Sequence, residues 1–206
     1  MKRIVLMALL ALALPVAAFA GSVDLGNTGG TLAGSSAGLT LTGSNLTSVI
    51  GLGLGTCATF APCGSVTFTT GALTSGNLTT GGTFSSVGSS FQIMGNGTDG
   101  LPAVIFSGSF IGSVSWIENT NCGTDGSICY TLSGSISGTW LGTGQTVNGA
   151  TVQLTFNAGK NGFTGSVPLA SGDTVITVVT PEPGTLGLLG TGLIGLAGVV
   201  RKKLKV

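Results

Sequence analysis

Thr151-Val152-Gln153-Leu154-Thr155-Phe156 alternates polar and apolar side chains without a break. A period of two puts Val152, Leu154 and Phe156 on one face and Thr151, Gln153 and Thr155 on the other, as in a half-buried strand. The same alternation recurs in Val66-Thr67-Phe68, in Phe91-Gln92-Ile93-Met94 and in Val175-Ile176-Thr177-Val178-Val179. β-Branched and aromatic residues fill these runs, and Gly, Asn, Asp and Ser separate them, so strands joined by turns are expected. No segment between residues 21 and 180 shows a 3.6-residue apolar period with caps. The reading is an all-β fold, an antiparallel β-sandwich or similar sheet stack.

Towards the N-terminus the signal loosens. Leu39-Thr40-Leu41-Thr42 and Leu52-Gly53-Leu54-Gly55 still alternate, but glycine-rich strands specify their register weakly. A β-solenoid would need a fixed repeat, and none emerges. In so uncharged a chain, exposed edge strands would invite self-association.

Between these regions lies an internal echo. Phe106-Ser107-Gly108-Ser109-Phe110-Ile111-Gly112-Ser113-Val114-Ser115-Trp116 is matched by Leu132-Ser133-Gly134-Ser135-Ile136-Ser137-Gly138-Thr139-Trp140. The connector from Asn119 to Cys129 is rich in turn residues. A long hairpin from Val104 to Trp140 follows, its tip pinned by Cys122 and Cys129. Trp116 and Trp140 each end a strand, so in an antiparallel pair they lie toward opposite ends.

The four cysteines, Cys57, Cys63, Cys122 and Cys129, allow three pairings. Local pairing, Cys57 with Cys63 and Cys122 with Cys129, is the expected one. Such short loops contribute about 2.5 kcal/mol each through chain entropy, enough to staple loops without creating the fold. Metal binding by the cysteines is disfavoured, because C-x-x-C spacing and histidine are both absent.

Charge excludes further classes. Between residues 21 and 180, Lys160 stands alone against Asp24, Asp99, Glu118, Asp125 and Asp173, a net charge of −4. A nucleic-acid partner needs clustered Lys and Arg and is not expected. Without histidine, Ser-His-Asp and Cys-His devices are impossible. Glycoside hydrolysis needs two carboxyls across a cleft, and these acids are scattered. Asp99-Gly100 and Asp125-Gly126 read as turn dipeptides, and Asp173 follows Gly172 where a strand begins. Asn96-Gly97-Thr98-Asp99-Gly100 offers one carboxylate, too few for a calcium loop. Neither catalytic residues nor a metal or other cofactor is expected.

The ends of the chain follow other rules. Met1-Lys2-Arg3, the apolar run Ile4 to Leu14, and Ala18-Phe19-Ala20 read as a secretory signal peptide over residues 1–20, cut between Ala20 and Gly21. Sec-type export machinery and signal peptidase are therefore expected partners. At the other end, Pro181-Glu182-Pro183 precedes an uncharged apolar run, Gly184 to Val200, and the basic end 201–206 with Arg201, Lys202, Lys203 and Lys205. As a helix the run is about 25 Å long, slightly short of an apolar bilayer core of about 30 Å. Snorkelling lysines and mild thinning close that gap. The basic end places the C-terminus in the cytoplasm and the preceding chain outside. Pro181 and Pro183 hold Glu182 in an extended segment.

This order of triplet, short apolar helix and basic end resembles the PEP-CTERM sorting signal of exported bacterial proteins. The resemblance covers the last 27 residues, with lysine where arginine is more usual at the end. It implies that an exosortase, an integral-membrane cysteine transpeptidase-like enzyme, recognises Pro181, Glu182 and Pro183 and removes the anchor. It also implies an inner-membrane-anchored precursor, then a place in the cell envelope or outside the cell. The expected organisation is a signal peptide, a Gly/Ser/Thr-rich ectodomain over residues 21–180, and a sorting tail over residues 181–206 with one transmembrane helix.

Two functions are compatible with this organisation. The first is a structural protein of the cell surface or extracellular matrix, which the resemblance associates with exopolysaccharide and biofilm. The second is a carbohydrate-binding or adhesin module that stacks sugars on exposed Trp116, Trp140 and Tyr130. Burial of those rings favours the first.

Overall fold

The computed structural model describes residues 21–178 apart from 52–56, 58–61, 99, 121, 123–125 and 142–143. The alternating runs become antiparallel strands: β1 (Gly21–Thr28), β2 (Thr31–Ser35), β3 (Gly38–Ile50), β4 (Gly64–Thr69), β5 (Leu73–Asn77), β6 (Gly81–Phe84), β7 (Ser90–Gly95), β8 (Val104–Asn119), β9 (Cys129–Trp140), β10 (Gln145–Asn157) and β11 (Ser166–Val178). Among the described residues the helical content is one 3-10 turn, Gly159–Asn161. No helix there is long and apolar enough to cross a membrane. The helix expected at 184–200, the Pro181-Glu182-Pro183 triplet, the basic end and the signal peptide lie outside the described residues. So do Leu52 to Gly55, Asp99 and Asp125.

The strands close into a ring, which corrects the expected β-sandwich. β1, β3, β4, β7, β8, β9, β10 and β11 form an eight-stranded up-and-down barrel in which each strand lies beside the next. The ring is completed when the last strand returns to the first, with Gly21 opposite Val178 and Asn27 opposite Gly172. Alternation demands one buried and one solvated face per strand. Two stacked sheets and one sheet curled on itself both satisfy that demand, and local periodicity does not distinguish them.

Two departures complete the topology. Past Gly29-Gly30, β2 prolongs β1 between the same neighbours, β3 and β11. The β5–β6 hairpin is inserted between β4 and β7. β6 pairs with the C-terminal half of β8, Gly81 opposite Ile117, while β7 pairs with its N-terminal half, Phe91 opposite Gly108. Closure removes the edges that the sequence suggested would be exposed, leaving the short β5 as the outer strand.

Inward-facing side chains fill the barrel. Val23, Leu25, Leu41, Phe68, Phe91, Phe106, Ile136, Leu154 and Ile176 are buried. Burying such a side chain stabilises the fold by about 1.5–3 kcal/mol. Phe110 meets Phe68 and Phe91 edge-on, with centroids 5.6 Å apart in both pairs. The outer wall carries Thr40, Thr42, Gln92, Thr151, Gln153 and Thr177. This pattern is the reverse of a membrane-spanning barrel, whose outer band is apolar.

The hairpin expected from Val104 to Trp140 is present. Phe106 faces Trp140, Gly108 faces Gly138, and Asn119 faces Cys129 at the tip. Trp116 lies opposite Leu132, so the two indoles do occupy opposite ends. The local disulfides are both formed, Cys57–Cys63 with Cα atoms 5.4 Å apart and Cys122–Cys129 with 5.7 Å.

Asp173 departs from the sequence reading. It sits in the middle of β11 rather than where a strand begins. The preceding glycine makes no turn; its missing side chain leaves space that Asn27 Oδ1 and Leu154 occupy.

Candidate functional site

The three aromatics expected as sugar platforms are core residues. Trp116, Tyr130 and Trp140 are 1%, 0% and 0% exposed. The faces of the first two are also occupied, because the Trp116 and Tyr130 rings stack 4.5 Å apart with planes 2° from parallel. Phe156 and Phe163 pack against Trp116 as well. A sugar cannot reach these faces without unfolding that end of the barrel, so the stacking role is withdrawn.

Their polar atoms hold the β5–β6 turn instead. Trp116 Nε1 donates to the Leu78 carbonyl at 3.0 Å, and Tyr130 Oη donates to the Thr79 carbonyl at 2.7 Å. The Tyr130 oxygen also accepts from the Phe163 backbone N–H at 3.2 Å. The turn is preformed by Asn77, whose Oδ1 accepts from the backbone N–H groups of Thr79 and Thr80 at 2.9 and 2.7 Å. Both threonine hydroxyls donate to the same oxygen. The result is a clamp that docks the inserted hairpin over one end of the ring. Trp140 Nε1, at the other end of β9, finds no acceptor among the described residues.

A second feature lies on the outer wall. Between Ile111 and Ser115 the register of β8 against β9 shifts, so that Ile111 faces Ser135 but Ser115 faces Ser133. Gly112 takes a φ of 67°, a left-handed conformation that glycine adopts without steric cost. Such bulges bend a strand and re-aim its side chains. Beside this bulge is a groove of about 450 Å³ lined by Ser113, Ser133, Ser135, Thr151, Gln153, Asp173 and Val175. Its floor is ordered by strand register: Ser133 faces Gln153, which faces Asp173, and Ser135 faces Thr151, which faces Val175.

Asp173 gives the groove its electrostatic character. Partial loss of solvent raises its carboxyl above the ordinary range, and a hydrogen bond to Asp24 and that residue's charge raise it further. A hydrogen bond with the Thr174 backbone acts in the opposite direction. Asp24 faces Val175 across the β1–β11 pairing, one diagonal step from Asp173. Among the described residues no cluster of three or more His, Cys, Asp or Glu could hold a metal ion, and all four cysteines are in disulfides.

Sequence reading missed this groove. Ser113, Ser133, Thr151 and Gln153 come from three strands, and only barrel register brings them together. Gly112-Ser113 within the echo was the available signal, since a glycine inside a strand pattern marks a bulge.

Comparison with known proteins bears on the tail. A family model, the PEP-CTERM protein-sorting motif, matches residues 179–202. The match begins one residue beyond β11 and contains the Pro181-Glu182-Pro183 triplet. This motif supports an exported protein directed to an exosortase. No curated protein and no solved structure matches the chain.

Proposed function

We propose that this carrier of a PEP-CTERM sorting motif is a non-catalytic structural protein of the cell envelope or extracellular matrix, associated with exopolysaccharide or biofilm. Its precursor is held in the inner membrane by residues 184–200 with the C-terminus in the cytoplasm. Signal peptidase cuts before Gly21, and an exosortase acts at Pro181, Glu182 and Pro183.

The observation that carries this reading is where the ring closes. Gly21, the first residue after the signal peptide, pairs with Val178, and the sorting match starts at residue 179. Every barrel strand therefore lies between the two processing points, so both end segments can be removed without taking a strand from the ring. The absence of histidine rules out Ser-His-Asp and Cys-His hydrolase devices. The packed barrel interior and buried tryptophans favour a structural role over aromatic sugar stacking.

Intact-mass measurement of the protein from envelope and medium of its native cells tests the proposal, with Glu182→Ala alongside. The expected product lacks residues 1–20 and the segment beyond the triplet, and the variant keeps its tail. Retention of the tail in both would make the protein a simple anchored ectodomain and overturn exosortase release.

A further inference from the structure

We propose that the outer-wall groove beside the β8 bulge binds a stretch of neutral glycan. The inference rests on the matrix reading above and gives it a partner and a site. The shape comes from the fold: β8, β9, β10 and β11 present a floor three strand spacings across, about 14 Å, and the displaced Ser113 forms one rim. Because the ring is closed, the floor is fixed by strand pairing, and little ordering is required when a ligand binds.

The chemistry of the lining selects the ligand. Ser133 and Thr151 offer hydroxyls, Gln153 offers both a donor and an acceptor, and the Asp173 carboxyl accepts from vicinal hydroxyls. The half-buried Val175 and, at the β8 edge of the Ile111–Ser135–Thr151–Val175 row, Ile111, 40% exposed, can meet the C–H faces of sugar rings; beyond Val175 the row continues to Asp24. An anion is excluded by Asp173 and Asp24 with no lining cation. A peptide adding as a strand is excluded as well, since β9, β10 and β11 are each paired on both sides. A purely apolar ligand would leave these polar groups unpaired. A chain of uncharged polyol rings satisfies them.

The test uses processed protein purified from its native cells. Its probes are dextran, pullulan, laminarin and the cells' own exopolysaccharide in affinity electrophoresis, with maltohexaose and laminarihexaose in calorimetry. At least one of these glycans should bind, and high salt should leave its binding unchanged, as expected of a neutral ligand. Gln153→Ala and Asp173→Asn should each weaken binding about tenfold, the loss expected for a hydrogen bond within a groove. Gln92→Ala, on the outer face of β7, should bind as the parent does. Thermal midpoints no lower than the parent's show that the fold is kept.

Binding of the polymers alone assigns the groove to a long strand, and binding of the hexasaccharides too assigns it to a short segment. Either result supports the site. Failure to bind any of the probes overturns it, as does undiminished binding by both groove variants or binding abolished by salt. The intact masses of the same preparations are an independent readout: correct processing without glycan binding refutes the groove and leaves the sorting proposal standing.

Discussion

Replacing Tyr130 by phenylalanine removes one oxygen and leaves the ring that stacks on Trp116. That oxygen donates to the Thr79 carbonyl at 2.7 Å and accepts from the Phe163 N–H at 3.2 Å. Thr79 is exposed, so its carbonyl can turn to water, and the loss there is about 1 kcal/mol. Phe163 is 4% exposed, and a buried N–H left without an acceptor costs about 1–3 kcal/mol. The variant should therefore lose about 2–4 kcal/mol, a large share of the 5–15 kcal/mol of about a whole domain's stability. Denaturant unfolding of the processed protein should show a lower midpoint at unchanged slope, and the thermal midpoint should fall by about 2–4 °C for each kcal/mol. Asn77→Ala should cost about 1–2 kcal/mol by loosening the same turn, as loss of a cap does. The double variant should lose less than the sum, because both changes release one hairpin. A Tyr130→Phe loss under about 0.5 kcal/mol, or strict additivity with Asn77→Ala, would refute the clamp.

Other expectations follow from single features. Alkylation without reductant should leave the mass of the processed protein unchanged, whereas reduction first should expose four thiols; serine at Cys57 and Cys63 together should cost about 2.5 kcal/mol. Asp173 carries a raised folded-state pKa, so the native state binds its proton more tightly than the unfolded chain. Its contribution is then most favourable below the unfolded value of 3.8 and is lost as pH rises through the folded value. Asp24→Asn should accordingly raise stability at neutral pH and flatten the acid-side slope in pH-dependent melts, by under about 1 kcal/mol because both carboxyls are solvent-screened. Gly172→Ala should destabilise by about 1–3 kcal/mol, since its methyl would enter space held by Asn27 and Leu154; a neutral result in chemical unfolding would show that this site can relax.

The strands were legible because their physics is local. Val152, Leu154 and Phe156 are buried on β10 while Thr151 and Gln153 face water, as a period of two requires. The long hairpin and its pinned tip were legible for the same reason, through the echo and the Cys122–Cys129 spacing. The closed ring was not, because the pairing of Gly21 with Val178 joins residues at opposite ends of the ectodomain and leaves no local trace. Buried tryptophans and exposed ones also look alike in sequence. Trp116 and Tyr130 are partners only because β8 and β9 place them side by side, with Glu118 rather than Trp116 directly opposite Tyr130. Gly172-Asp173 has turn composition but extended geometry, since the glycine makes room for Asn27 and Leu154, its paired neighbours on β1 and β10.

Closure by the terminal strands links the fold to its processing. An up-and-down meander can pair its hairpins as they emerge, each strand finding the one before it. The β1–β11 seam differs, because the first strand has no partner on that side until the last has crossed the membrane. Contacts of such sequence separation form slowly, since loop closure precedes any gain from pairing. Until then β1 and β10 keep open edges, which are prone to pairing with other chains. A C-terminal sorting segment immediately after β11 is read only once β11 has been made. In the proposed pathway, release at the Pro181-Glu182-Pro183 triplet thus comes when all eight barrel strands are available, and the anchor limits escape of chains whose ring is still open.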